Sequence, residues 1–232
     1  MTPALELDDV ARRLASDIPH GSYVNLGIGM PTLVANHLPA DSRITLHTEN
    51  GMLGMGPEPA PGEEDWDLLN AGKFPVTELP GASYFDHAES FAMVRGRHLD
   101  VCVLGAFQVS VAGDLANWKT ADADAIPGVG GAMDLAHGAR DVYVMMRLFA
   151  KDGTAKLVER CTYPVTGLAC VSRVYTDVAT FLIRPEGDVA RDLVGMSLDE
   201  LSEAVGIELL PDRPTIHTSS ATSEPFANRR GL

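Results

Sequence analysis

The stretch from Thr48 to Pro57, TENGMLGMGP, constrains the fold more than any other part of the chain. An apolar run over 44–47 stops here, and one carboxylate, Glu49, stands in front of a segment punctuated by glycines at 51, 54 and 56. In α/β proteins the chemistry lies where a buried strand gives way to a loop. Glycines let such a loop approach a ligand closely, and its amides can bind an anion. The stretch therefore predicts a strand that ends at a flexible functional loop carrying Glu49.

The same residues also permit a purely structural interpretation. Asn-Gly is a strong turn dipeptide, so Glu49, Asn50 and Gly51 could form a tight turn with no chemical role. The local residues leave both interpretations open.

Length and charge narrow the class of protein. The chain has 232 residues, 45% of them hydrophobic, which suffices for one large α/β core. Eighteen basic against 32 acidic residues leave a formal charge of -14, which argues against nucleic acid or an anionic membrane surface as a partner. We therefore expect a protein that binds neither.

Cysteine spacing and the amino terminus bear on compartment and metal. Cys102, Cys161 and Cys170 are odd in number and show no CxxC pair, so the sequence predicts neither a disulfide framework nor a thiolate metal site. The first residues lack the pattern of a signal peptide, and no apolar run approaches the ~20 residues of a membrane span. We expect a cytoplasmic protein without a bound metal.

Periodicity predicts alternating helices and strands. Together they indicate a single α/β domain in which a mostly parallel central sheet is flanked by helices, an open α/β sandwich. The predicted helices cover 7–18, 88–95, 132–139 and, behind the capping box Ser197-x-x-Glu200, a short segment ended by Gly206; the predicted strands cover 23–26, 44–47, 101–104, 142–146, 171–175 and 178–183.

A glycine pair after the first predicted strand suggests a rival function. Gly27-x-Gly29, a helix, a second strand and then Glu49 copy the outline of a dinucleotide-binding fingerprint. Thr32 stands where the third glycine belongs, and Pro31 removes an amide donor, which weakens this interpretation. It is kept as an alternative to be tested.

Two further features have both a structural and a functional interpretation. The cluster Gly128-Val129-Gly130-Gly131 suits either a tight connection or a nest of amides for an anion. Lys73, the only lysine before Trp118, is either solvated or placed to meet a phosphate as a point charge.

Six segments together resemble the B-type (beta) half of family I coenzyme A transferases, and within that family the 3-oxoadipate branch. The similarity runs from about residue 5 to about residue 210, which defines the expected domain 1–210; we expect 211–232 to be a flexible tail. The matching segments are VNLGIGMPTLVANHLP from Val24, TENGMLGMGP from Thr48, LLNAGK from Leu68, ESFAMVRGRHLD from Glu89, GDLANWK from Gly113 and GVGGAMDLAHGA from Gly128.

The resemblance implies a fold, an activity and a set of site residues. Glu49 would be the glutamate that carries CoA as a thioester while CoA moves from succinyl-CoA to a 3-oxo acid, either 3-oxoadipate or acetoacetate. CoA would be a substrate and covalent intermediate, and no permanently bound cofactor is implied. The residues implied to hold CoA or an oxyanion are Asn25, Gly27, Gly29, Asn50, Gly51, Lys73, Gly130, Gly131, Ala132 and Met133.

The resemblance also implies a partner, because the family site is completed by a different subunit. We expect an A-type (alpha) subunit, in a heterodimer or heterotetramer. Two departures from the family pattern stand out: Thr48 replaces a common serine but keeps a hydroxyl, while the unusual Lys119 bears on the fit of the substrate.

Overall fold

The computed structural model describes residues 4–122, 124 and 126–212. Its elements are, in chain order, helix α1 (Leu7–Asp17), strand β1 (Tyr23–Leu26), a 3-10 helix (Met30–His37), β2 (Thr45–Thr48), β3 (Met52–Met55), β4 (Glu78–Tyr84), α2 (His87–Arg95), β5 (Val101–Leu104), β6 (Gln108–Ser110), β7 (Leu115–Ala116), α3 (Ala132–Gly138), β8 (Asp141–Met145), β9 (Leu157–Val158), β10 (Val171–Tyr175), β11 (Thr180–Leu182), β12 (Val189–Arg191), α4 (Leu198–Val205) and β13 (Leu210–Pro211).

Ten of these strands form one large sheet in the order β13-β12-β11-β10-β8-β5-β1-β2-β3-β4. The central strands β10, β8, β5, β1 and β2 run parallel, whereas β3 and β4 on one side and β11 on the other pair antiparallel with their neighbours. A separate three-stranded sheet has the order β7-β6-β9. The predicted α/β fold with a mostly parallel central sheet is confirmed.

Both faces of the central sheet are covered, which explains why its strands are apolar throughout. Along β5, Val101 and Val103 pack into the hydrophobic cluster that contains α1, while Cys102 and Leu104 pack into the cluster on the opposite face. On α1, the side chains of Val10, Ala11 and Leu14 are fully buried at helical spacing. The core is therefore divided by the sheet into two layers.

The parallel arrangement brings distant segments to one edge. In the register of the sheet Asn25 lies opposite His47, and Leu26 lies opposite Val103. The carboxyl ends of β1, β2 and β5 therefore meet, with Gly27 and Glu49 directly beyond two of them. This edge is where ligands bind in open α/β sheets.

Most predicted elements are present, with one correction. The segment after Glu49 is not a flexible loop, because Met52–Met55 pairs antiparallel with β2 and β4 as strand β3. Pro211, expected to begin the tail, still pairs with Ala190. Residues 213–232 lie outside the described part of the chain, so the predicted tail stays a prediction. No helix within the described residues has the length and apolar character needed to cross a membrane.

Candidate active site

Glu49 occupies the tight turn that joins β2 to β3. The amide of Gly51 donates to the carbonyl of Thr48 at 3.0 Å, which closes the turn. Gly51 has φ +117°, and a Cβ atom there would lie 2.0 Å from the carbonyl oxygen of Phe85. Only glycine fits this position. The structural interpretation of Glu49-Asn50-Gly51 as a turn is thus correct, and the turn also presents the carboxylate to a cavity.

This cavity has a volume of about 300 Å³ and lies at the carboxyl ends of β1 and β5. Its walls are largely main chain, from 27–28, 104–107 and 128–132, and the side chains of Glu49 and Asn117 also line it. The two glycine segments singled out in the sequence therefore face each other across one space, although they are distant along the chain.

Gly131 approaches the Glu49 carboxylate closely. A Cβ atom at Gly131 would lie 2.6 Å from Oε2 of Glu49 and 2.5 Å from Cζ of Phe91. Within the described part of the chain, the amides of Gly130 and Gly131 donate to no other group. The segment thus offers free amide donors beside a carboxylate, an arrangement suited to an oxyanion.

The electrostatic surroundings of Glu49 favour a reactive carboxylate. Partial burial raises the pKa of Glu49, and the nearby His87 at the start of α2 opposes that rise. Burial of this kind removes water from the carboxylate and makes it a stronger base. Perturbed carboxyl groups that line cavities are typical of functional sites.

A buried polar network lies beneath the Glu49 turn, and the sequence analysis missed it. Asn25 Nδ2 lies 3.1 Å from His47 Nδ1, and His47 Nε2 lies 3.0 Å from Ser90 Oγ. These three side chains are at most 1% exposed. A signal was present in the sequence: His47 interrupts an apolar strand, and Ser90 lies in the segment ESFAMV at a position that helical spacing turns inward.

The predicted ligand-binding residues separate into two groups. Asn25, Gly27, Gly130, Gly131 and Ala132 line the cavity together with Glu49. The Nδ2 group of Asn25, however, donates to both Nδ1 and the carbonyl oxygen of His47.

The second group lies outside the lining of this cavity and contains Gly29, Asn50, Gly51, Lys73 and Met133. Asn50 donates to the carbonyl of Leu69 at 2.9 Å and so ties the turn to the next loop. Lys73 is exposed on that loop, which reaches the cavity through Ala71. Within the described residues, no cluster of three or more His, Cys, Asp or Glu side chains is placed to hold a metal ion.

Comparison with known proteins places this geometry in context. The family model described as Coenzyme A transferase matches residues 7–196. The chain is 58% identical over 211 residues to the B-type subunit of 3-oxoadipate CoA-transferase from Pseudomonas putida, covering 90% of this chain and 99% of that one. It is 48% identical over 201 residues to the B-type subunit of a probable succinyl-CoA:3-ketoacid coenzyme A transferase from Bacillus subtilis, covering 86% and 88%.

Solved structures share the fold at low sequence identity. An acyl-CoA transferase of Escherichia coli O157:H7, solved as a thioester complex with CoA, superposes with a TM-score of 0.69 at 20% identity, covering 91% of this chain and 43% of that chain. The chain thus spans less than half of that protein. Glutaconate coenzyme A-transferase of Acidaminococcus fermentans superposes with a TM-score of 0.62 at 15% identity, covering 92% and 91%.

Proposed function

The chain belongs to the coenzyme A transferase family, and on this basis we propose that it is the B-type half of a heteromeric enzyme that moves CoA from succinyl-CoA to a 3-oxo acid. The observation that carries the proposal is the Glu49 carboxylate, which faces the free amides of Gly130 and Gly131 across a cavity large enough for an acyl thioester. CoA is then a substrate and covalent intermediate.

Exchange between two acids without loss of the thioester to water calls for a covalent carrier. A carboxylate oxygen of Glu49 attacks the carbonyl carbon of succinyl-CoA; the C–S bond breaks, leaving a mixed anhydride and CoA thiolate. The thiolate attacks the glutamyl carbonyl carbon and releases succinate, which leaves glutamyl-CoA. The carboxylate of the 3-oxo acid attacks that thioester, and the returning thiolate then takes the acyl group and frees Glu49.

Each step passes through a tetrahedral oxyanion. Amides of the 130–132 segment lie close enough to the Glu49 carboxylate to stabilise such a charge, and a single well-placed donor contributes roughly 3 kcal/mol to a transition state of this type. The raised pKa of Glu49 is consistent with a desolvated carboxylate that attacks readily.

An A-type subunit would complete the site. The relatives are named as one of two kinds of subunit, and the cavity is rimmed by exposed apolar side chains, of which Ile28 is 60%, Phe107 39% and Val129 38% exposed. A partner covering this rim would bury the apolar surface and exclude water from the anhydride. We therefore expect the purified chain alone to be inactive and a heterodimer or heterotetramer to be active.

The proposed acceptor is 3-oxoadipate, with acetoacetate as the alternative. The identity to the 3-oxoadipate relative, 58%, exceeds the 48% to the 3-ketoacid relative. The far carboxylate of 3-oxoadipate needs a cation or an amide. Arg147 already pairs with Asp177 at 3.2 Å, whereas Lys119 follows the cavity residue Asn117 by two positions. Lys119 is therefore the better candidate for this group.

The deciding experiment incubates the complex with succinyl-CoA and no acceptor acid. A CoA thioester should accumulate on Glu49, where borohydride reduces it and hydroxylamine converts it to a hydroxamate; a peptide map then identifies the residue. Modification of another carboxylate, or of none, would overturn the proposal. Titration with NAD and with CoA separates it from the dinucleotide-binding alternative.

Substrate choice has its own test. Specificity constants for 3-oxoadipate and acetoacetate are measured side by side, in the wild-type complex and in Lys119→Gln. We expect the wild type to prefer 3-oxoadipate and the variant to lose activity toward 3-oxoadipate only. A higher constant for acetoacetate in the wild type would contradict the assignment.

A further inference from the structure

The carbonyl oxygen of Thr48 fixes where the Glu49 turn leaves the sheet, and two donors hold it. One is the Gly51 amide at 3.0 Å, and the other is the hydroxyl of Ser90 at 3.4 Å. Ser90 belongs to α2, so this contact reaches the turn from outside the hairpin. The peptide that joins Thr48 to Glu49 is thereby attached both to its own hairpin and to a neighbouring helix.

The direction of the hydrogen bonds behind Ser90 follows from the chemistry of the groups. Asn25 Nδ2 is a donor, and it faces both the carbonyl oxygen of His47 and Nδ1 of the same residue. Nδ1 therefore accepts, so the proton of a neutral imidazole lies on Nε2 and is donated to Ser90 Oγ at 3.0 Å. The Ser90 hydroxyl proton is then left for the Thr48 carbonyl.

Burial keeps this imidazole neutral. It lowers the pKa of His47 to about 4, so at neutral pH the ring has one N–H donor and one acceptor. A protonated ring would turn Nδ1 into a donor facing the donor of Asn25. The network therefore works in one direction only, from Asn25 through His47 and Ser90 to the turn.

We propose that Asn25, His47 and Ser90 are positioning residues, which hold the Thr48 carbonyl and through it keep the Glu49 carboxylate facing Gly131. This inference rests on the proposed nucleophilic role of Glu49. It gives Asn25 a supporting function in place of direct contact with CoA, since its Nδ2 group is already engaged by His47.

The location and the cost of the network support a positioning role. A buried polar side chain is retained at a cost unless all its groups are paired, and an apolar side chain would fill the same core position without that requirement. Here three such side chains from β1, β2 and α2 converge on the one peptide that precedes Glu49. A misplacement of about 1 Å of a reacting group can cost about a hundredfold in rate, which is reason enough for such support.

The test uses the complex with its A-type partner, succinyl-CoA as the probe, and rapid quenching to follow the formation of the Glu49 thioester. Ser90→Ala is compared with Ser42→Ala, an equally buried serine that donates to the Pro39 carbonyl at 2.6 Å and precedes β2 at its other end. We expect Ser90→Ala to slow thioester formation by about a hundredfold with little change in KM. Ser42→Ala should keep the wild-type rate.

Two substitutions of His47 supply a second comparison that does not depend on Ser90→Ala folding. A glutamine amide reaches the position of Nε2 and can donate to Ser90, whereas an asparagine amide reaches only that of Nδ1. His47→Gln should therefore form the thioester faster than His47→Asn.

The outcomes are distinct. Equal rates for Ser90→Ala and Ser42→Ala, or for the two His47 variants, would overturn the positioning role. A wild-type complex that forms no thioester on Glu49 would instead overturn the proposed function, so the two failures can be told apart.

Discussion

Oε2 of Glu49 lies 2.6 Å from the point that a Cβ atom would occupy at Gly131. The two residues belong to different glycine segments, and their proximity leaves no room for a side chain between the carboxylate and the main chain. The absence of a side chain at Gly131 is therefore a requirement of the site.

Gly131→Ala should abolish most activity, because the added methyl group must displace either the carboxylate of Glu49 or the ring of Phe91. A displacement of about 1 Å predicts a loss of about a hundredfold in kcat. Gly128→Ala is the matched control, since nothing lies within 4 Å of a Cβ atom at that position. Equal activity of the two variants in the heteromeric complex would show that the close approach has no catalytic importance.

Glu49→Gln should fold and be inactive, because an amide cannot act as the nucleophile, and Glu49→Asp should lose about a hundredfold through a shortened side chain. Burial raises the pKa of Glu49, so the folded state loses stability as the pH rises through the range where this carboxyl ionises. Glu49→Gln should therefore melt no lower than the wild type at pH 7. Glu63→Gln, on the exposed loop after β3, is the control and should remain active.

Gly51→Ala should lower the thermal midpoint more than Gly62→Ala. Both glycines have positive φ, +117° and +90°, so both substitutions introduce backbone strain of about 1 kcal/mol or more. Only at Gly51 does the new Cβ atom also meet a carbonyl oxygen, that of Phe85, at 2.0 Å. Differential scanning calorimetry of the two variants measures the contribution of this contact; equal midpoints would contradict it.

Asp188→Asn should stabilise the protein at pH 7.5 and not at pH 4. Asp188 is 3% exposed, and burial raises its pKa to about 6, although the backbone of Arg184 partly opposes this. A raised carboxyl pKa means that stability is lost as the pH rises from the unfolded value near 4 to about 6, by at most roughly 3 kcal/mol. A gain in melting temperature that is independent of pH would refute this account.

The helices and strands followed from local patterns. The capping box at Ser197 and the left-handed Gly206 delimit α4 as expected, and the spacing of Val10, Ala11 and Leu14 places the buried face of α1. Such features depend on residues within one or two turns of each other, so the sequence suffices to find them. Resemblance to a family singled out Glu49, whose role remains a proposal.

The strand after Glu49 was not predicted, because Met52–Met55 with Gly54 inside it has the local pattern of a loop. Its pairing partners, β2 and β4, stabilise it as a strand. Tertiary pairing thus overrides a weak local preference at this position.

The residues of the sequence determined that the chain forms an α/β domain with a carboxylate at the end of an apolar strand. Only the tertiary structure decided that Gly131 faces this carboxylate and that Asn25, His47 and Ser90 support the turn that carries it. The reason is physical: these contacts depend on the register of β1 against β2 and on the packing of α2 and α3. Both are set by the whole core, and no local periodicity encodes them.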